Sequence, residues 1–336
     1  MRRWLAPLTL VALVGIASPP ADASSIVYVK GGDLWRYSPN RARKRVGVRA
    51  PGITFFSAVT QDDRGRLWAV HEPARRWERF SAAGRRVGKA FNTAGTGITL
   101  HYDPVRNLPG FAGPLDAQVS DDGRLLASWG ILEQLDHVDP FAIPPAPKYF
   151  VAQFNSPNVT DCCHDADIAS SLPTNGLAWP SWLHDGTFIA APFSNLLKGY
   201  GIWYVPAQVP ELRYWFGASN PALRLAHPEV TRRGDYIAAT IDTHNAPLSK
   251  DEEITVGHLP GPPPAIPDRD CTWPNPHGTV AGLTWSPDGS TLAWSDSVGV
   301  WTARFAVPAQ TDQVCVVTAK RLLARKATSP DWSPAA

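Results

Sequence analysis

Beyond the first fifty residues the chain falls into short runs in which apolar and polar side chains alternate, each closed by a turn rich in Asp and Gly and followed by a second apolar run. Alternation of period two marks a strand with one buried face, and a Gly-containing turn between two such runs marks a β-hairpin, because Gly supplies the positive φ the turn needs. Segments 56–65, 115–123, 179–186, 227–234 and 283–289 are complete copies, and 330–334 is a sixth that stops before its return strand. The complete copies resume as apolar strands at 67–70, 125–129, 188–191, 236–239 and 292–294. Val59, Val119, Trp182, Val230, Trp285 and Trp332 hold the equivalent anchor position, 47 to 63 residues apart. A second element follows most hairpins, at 32–36, 76–80, 201–205, 253–256 and 299–303, and reads as a third strand whose Trp residues serve packing.

This period is that of a four-stranded blade with variable loops, and six copies predict an all-β, six-bladed β-propeller. The truncated sixth copy and the unpaired strand at 25–29 complete each other, so one blade is predicted to be assembled from the N- and C-terminal strands. Trp285, Ser286, Pro287, Asp288 and Gly289, with the strand after them, resemble the Pro-x-Trp-Ser-Pro-Asp-Gly repeat of the TolB-like, or WD-like, β-propellers. Trp182, Asp185 and Gly186 match it with Leu-His in place of Ser-Pro, and Trp332 matches its first half. The resemblance spans residues 24–336 and implies an axial channel, but no single function.

Composition agrees with one β-rich domain. The chain of 336 residues is 44% hydrophobic and 18% charged, so it can bury a large core, and 33 Pro with 26 Gly leave little room for long helices. A net charge of +2 does not make a general nucleic-acid binder. The basic run Arg41, Arg43, Lys44, Arg45 and Arg49, beside Arg75, Arg76, Arg79, Arg85 and Arg86, lies in turn-like sequence and reads as solvated loop charge. Residues 1–23 read as a secretory signal peptide: Arg2 and Arg3, an apolar stretch at 4–16 too short to span a bilayer comfortably, then the small-x-small site Ala21-Asp22-Ala23. The expected location is therefore extracytoplasmic, secreted or periplasmic, with no membrane span after cleavage.

Four cysteines follow that segment, an even number in an exported chain, which favours disulfides. Cys271 and Cys315 occupy similar places after third strands and form the first-choice bridge, provided the outer strands of neighbouring blades approach closely enough. Cys162 and Cys163 then form a strained vicinal disulfide or stay reduced. The run Cys162-Cys163-His164-Asp165 also suggests a metal, although adjacent cysteines are poor joint ligands for one zinc.

Two long insertions, 132–176 and 257–279, break the period and are the places to look for function. Blade connections and loops between second and third strands share one face, where His164 and Asp165 would meet Asp242, His244 and His277, with Asp251, Asp268 and Asp270 nearby. Such a cluster would hold a divalent cation and activate water, as in a lactonase-like hydrolase. No complete catalytic constellation is present, however, and no catalytic or cofactor-binding residue is assigned. The first reading is thus a monomeric, non-enzymatic scaffold binding a protein, peptide or envelope glycan; the metal-assisted hydrolase is the alternative.

Overall fold

A computed structural model describes residues 24–39, 41–47, 55–72, 76–89, 91–92, 112–123, 125–132, 148–155, 177–192, 201–207, 212–218, 223–243, 252–308 and 313–334. Among them there are strands and turns but no helix. The first sheet contains β1 (Ser25–Lys30), β2 (Asp33–Ser38) and β3 (Arg41–Gly47), and the second β4 (Phe55–Gln61), β5 (Leu67–Glu72), β6 (Arg76–Phe80) and β7 (Phe91–Asn92). The third holds β8 (Ala112–Val119), β9 (Leu125–Leu132) and β10 (Lys148–Asn155), and the fourth β11 (Leu177–Trp182), β12 (Phe188–Pro192), β13 (Ile202–Val205) and β14 (Arg213–Phe216). The fifth comprises β15 (Leu223–Val230), β16 (Tyr236–Thr243), β17 (Glu253–His258) and β18 (Arg269–Pro274), and the sixth β19 (Ala281–Trp285), β20 (Leu292–Ser295) and β21 (Gly299–Ala306). The short β22 (Gln313–Val314) then adds to the fifth sheet, β23 (Val316–Arg325) completes the sixth, and β24 (Ala327–Ser333) returns to the first as the partner of β1. Among the described residues five sheets thus carry four or more strands, and the third carries three.

The sheets close into a propeller. Their innermost strands touch in cyclic order, β24 against β4, then β8, β11, β15, β19 and back to β24. The core divides in the same way, with a buried cluster at each junction. Val27, Leu34 and Val46 of the first sheet meet Phe56, Leu67 and Phe80 of the second, and Trp68, Val70 and Trp77 meet Val119 and Leu126 of the third. Ala127 meets Trp182 and Phe188, and Ile189 and Tyr204 meet Leu225 and Ile237. Ala238 and Val256 pack on Trp285 and Trp294, and Ala293 and Leu323 pack on Ile26 and Tyr28. Each sheet is apolar on both faces because each face is buried by a neighbour, which is why the central strands read as nearly continuous apolar runs.

The innermost strands share an irregularity. Register slips at Ala178/Ser181, Ala226/Glu229 and Ala281/Thr284, where Trp179, His227 and Gly282 take positive φ of 53°, 49° and 59°. In β24 Ser329 does the same at 50°. Three of these residues precede a proline, Pro180, Pro228 and Pro330. A bulge there bends the strand and increases its twist, at a cost of roughly 1–2 kcal/mol for each non-Gly residue in the left-handed region.

Two sequence expectations change. Arg41, Arg43, Lys44 and Arg45 lie in strand β3, paired with β2, and not in a loop. An outermost strand tolerates charge where it faces water, as β3 does over its first five residues, and that charge hides the strand from apolar periodicity. Segment 257–279 is only partly an insertion, since it contains β18, whose outer position again removes the apolar signature. The loop before β18 reaches back over the fourth sheet, where Trp215 Nε1 donates to Ala265 O at 2.7 Å.

Cys271 and Cys315 are bonded, with Cα atoms 4.9 Å apart. What brings them together is β22, which runs parallel to β18, with Cys315 N donating to Thr272 O at 2.9 Å. Cys162 and Cys163 lie outside the described residues. Closing a loop over a sequence separation of 44 gives at most about 4 kcal/mol by loss of unfolded-state entropy. Replacing both cysteines by serine is expected to lower the unfolding free energy by about 2–4 kcal/mol. Denaturant titration with and without reductant checks this, and the destabilisation by reductant seen in the wild type should be smaller in the variant by the contribution of this bond.

Candidate functional site

Five hairpins between first and second strands close with the same hydrogen bond. Gly65, Gly123, Gly186, Gly234 and Gly289 donate N–H to the carbonyls of Asp62, Ser120, Leu183, Thr231 and Ser286 at 2.7–2.9 Å. Their φ values are 70°, 71°, 83°, 73° and 72°, so Gly is the residue each turn requires. The second position of each turn is then Asp63, Asp121, His184, Arg232 and Pro287. Ring closure puts all these turns at the C-terminal ends of the innermost strands, on one face, so the second position borders the mouth of the axial channel. Four of the five carry an ionisable side chain there.

Those four side chains join. Arg232 Nη1 donates to Asp63 Oδ2 at 2.9 Å, and Nη2 contacts both Asp63 Oδ1 and Asp121 Oδ1, the latter at 2.8 Å. His184 Nδ1 lies 2.7 Å from Asp121 Oδ2. The second and fifth sheets are three places apart in the ring, so Arg232 reaches across the axis and bars the mouth. The cavity enclosed by residues such as Gln61, Trp182, Glu229 and Asp331 is about 40 Å³, space on the order of three waters. Burial pulls the Arg232 guanidinium down to about 10, against the charge of Asp331, and holds the Asp121 carboxyl above its ordinary value, against its hydrogen bond with His184.

The walls are knitted together by the anchors. Trp182 Nε1 donates to Gln118 O at 3.1 Å and Trp285 Nε1 to Glu229 O at 3.2 Å, each tying its sheet to the one before. Trp332 Nε1, at the third motif tryptophan, is buried without a partner. Ser181 Oγ donates to Glu229 Oε2 across the fourth and fifth sheets. In the remaining motif turn, Asp288 Oδ1 accepts from Ser286 Oγ at 2.6 Å and Ser290 N at 3.1 Å, while Asp185 Oδ1 accepts from Thr187 N at 2.8 Å. These two aspartates act within their turns.

Deeper in the channel Asp331, in the closing strand β24, is buried. Its Oδ2 accepts from Gln61 N at 2.5 Å and Thr60 Oγ1 at 2.8 Å, and its Oδ1 from Thr284 Oγ1 at 3.5 Å. Gln61 Nε2 answers by donating to Asp331 O at 2.7 Å and Ser25 O at 2.8 Å. Burial pushes the Asp331 carboxyl up to about 6 in spite of these donors, with the Asp121 charge adding to the rise. His227, packed on Trp179 at 4.8 Å, is pushed the other way by burial and by Arg224, down to about 3.

Of the residues singled out for a metal, only Asp268, Asp270 and His277 are described with their side chains. His164, Asp165, His244 and Asp251 are outside the described residues, and Asp242 is placed only as backbone near the end of β16. His277 stacks on Trp301 at 5.4 Å between β18 and β19. Asp268 Oδ1 lies 2.7 Å from His258 Nδ1 and near Arg269, and these partners lower its pKa, His258 most. Among the described residues no three His, Cys, Asp or Glu converge as metal ligands. The channel mouth lies at the end of the sheets away from His277, whereas the β17–β18 connection with His258 and Asp268 lies at the same end as the Thr231–Tyr236 turn, where His258 pairs with Tyr236 and Arg269. The mouth escaped the sequence reading because Asp63, Asp121, His184 and Arg232 looked like ordinary turn residues; the available signal was their substitution for the motif's proline.

No protein-family model matches the chain, and no curated protein matches it. Among solved structures it is similar to TolB from Acinetobacter baumannii, at 11% identity and a TM-score of 0.55 over 95% of this chain and 68% of that one. It is also similar to a chain of a nidogen/laminin complex, at 9% identity and a TM-score of 0.54 over 92% of this chain and 98% of that one. The likeness is one of fold. Both comparisons support a propeller arrangement, and neither transfers a site.

The buried carboxyl carries a pH signature. Because the Asp331 pKa is raised from its unfolded value near 4 to about 6, the folded state keeps a proton that the unfolded state has lost. Its contribution to stability is therefore full below about pH 4 and is lost as pH rises through 6. The stability of wild type relative to Asp331→Asn is expected to fall by roughly 2 kcal/mol from pH 4 to pH 7. Denaturant unfolding of both proteins at the two pH values measures it, and equal pH slopes would contradict the assignment.

Proposed function

We propose that this is a non-enzymatic, extracytoplasmic propeller that acts as a binding scaffold for a protein or peptide segment recognised at the channel mouth. The observation that carries the reading is the set of charged side chains at equivalent turn positions, Asp63, Asp121, His184 and Arg232, gathered from separate sheets into one network. Ionisable groups with perturbed pKa values gathered at a concave mouth are a mark of functional sites. The carboxylates there are each committed to a donor, Asp121 to His184 and Arg232, Glu229 to Ser181, and Asp331 to Thr60 and Gln61, an arrangement suited to recognition. Asp63, Asp121 and Glu229 outweigh the single guanidinium, so the mouth is acidic and favours a segment bearing Lys or Arg. The Cys271–Cys315 bond and the signal-like leader support a location outside the reducing cytoplasm.

Selection from a library of random linear peptides tests this. Enriched sequences are expected to carry Lys or Arg, to weaken at high salt, and to lose about tenfold in affinity for Asp121→Asn, on the order of 1.4 kcal/mol. Enrichment without a cationic bias, or equal binding by the variant, would falsify the reading.

A further inference from the structure

Beside the mouth, between the sixth and first sheets, lies a second concavity of about 520 Å³, within the range of small-ligand clefts. Its floor is partly apolar, with Ile26, Leu323 and Trp332, and its wall presents the hydroxyls of Ser290, Thr291 and Thr302. Two guanidiniums, Arg304 and Arg321, stand over it. Arg321 is held in place from the first sheet, donating to Tyr37 Oη at 2.8 Å and lying 5.4 Å from that ring's centroid. Arg43 approaches the same ring at 6.0 Å. Among the described residues neither Arg304 nor Arg321 is paired with a carboxylate. The one carboxylate in the lining, Asp288, spends its acceptors on Ser286 and Ser290.

A backbone irregularity decides which cation enters. Arg304 faces Thr318 while Thr302 faces Arg321, so β23 carries one residue more than β21 across this interval. The bulge contains Ala319, a non-glycine residue at φ 52°. In a regular ladder Lys320 would stand opposite Thr302. With the bulge, Arg321 takes that place, and Lys320 instead lies 4.6 Å from the ring centroid of Trp273 and 4.7 Å from that of Trp301. Bulges commonly re-aim a side chain beside a site, and a guanidinium, unlike an ammonium, binds a planar anion through two parallel hydrogen bonds.

We propose that this groove binds an anionic glycan segment, with the acidic group of a sugar between Arg304 and Arg321, ring hydroxyls on the Ser and Thr side chains, and a C–H face on the apolar floor. The site is separate from the channel mouth, so its failure and that of the peptide reading are told apart by variants at Arg321 and at Asp121.

Calorimetric titration of the purified protein with an oligomannuronate hexamer, its neutral methyl ester and inorganic triphosphate provides the test. The hexamer is expected to bind and the ester to bind at least tenfold more weakly. Arg304→Gln and Arg321→Gln should each weaken the hexamer at least tenfold with an unchanged melting temperature, and Lys320→Gln should stay within twofold of wild type. Equal losses for Lys320→Gln would reduce the effect to diffuse surface charge and overturn the proposal. So would no binding of the hexamer, or binding of triphosphate alone, which would mark a phosphate site without sugar recognition.

Discussion

The carboxyl of Asp331 is the contact on which the ring depends. It belongs to the last strand, yet its partners are Thr60 and the backbone of Gln61 in the second sheet and Thr284 in the sixth, with Gln61 returning bonds to Asp331 and Ser25. A single buried side chain therefore fastens three sheets at the only point where the ring is closed by strands from opposite ends of the sequence. Thr60 extends the chain of bonds further by accepting from Val119 N at 3.0 Å in the third sheet. Leaving any of these groups unpaired would cost about 1–3 kcal/mol each, so the network specifies register as much as it adds stability.

Around that fastening, a repeated scaffold divides its labour by position. The anchor residues and junction clusters repeat because each must fill the same gap between sheets. The second turn position is freed from that duty, since its side chain points away from the junction, and here the copies diverge into Asp, Asp, His, Arg and Pro. The sixth and first sheets keep proline next to the mouth, at Pro287 and Pro334, and the concavity with Arg304 and Arg321 opens beside them.

The scaffold was largely legible in the sequence, because its causes are local. A Gly that must take φ near 70°, an anchor at a fixed distance before it and an apolar run after it are readable from neighbours alone, as the turns at Gly65 and Gly289 show. Closure through the two ends was legible for the same reason, since 330–334 lacked a return strand and 25–29 lacked a partner. Outer strands were not, because β3 carries charge at four of its five exposed positions, and β18 mixes charged, polar and apolar residues that are mostly half-buried, so neither shows apolar periodicity. The mouth was not legible either: Arg232 and Asp63 are separated by 169 positions and meet only because the ring is closed.

The seam has a mechanical meaning. Ser25 pairs with Ser333 and Ile26 with Trp332, so the free ends of β1 and β24 leave the ring at the same corner and in an antiparallel pair. Tension between them would load these hydrogen bonds one at a time, as a zipper, instead of all together in shear. The Cys271–Cys315 link, which joins the fifth sheet to the strand entering the sixth, lies outside that path and holds those two sheets together while the seam parts. Pulled from its ends, the propeller is built to open at one known joint before its other joints are stressed.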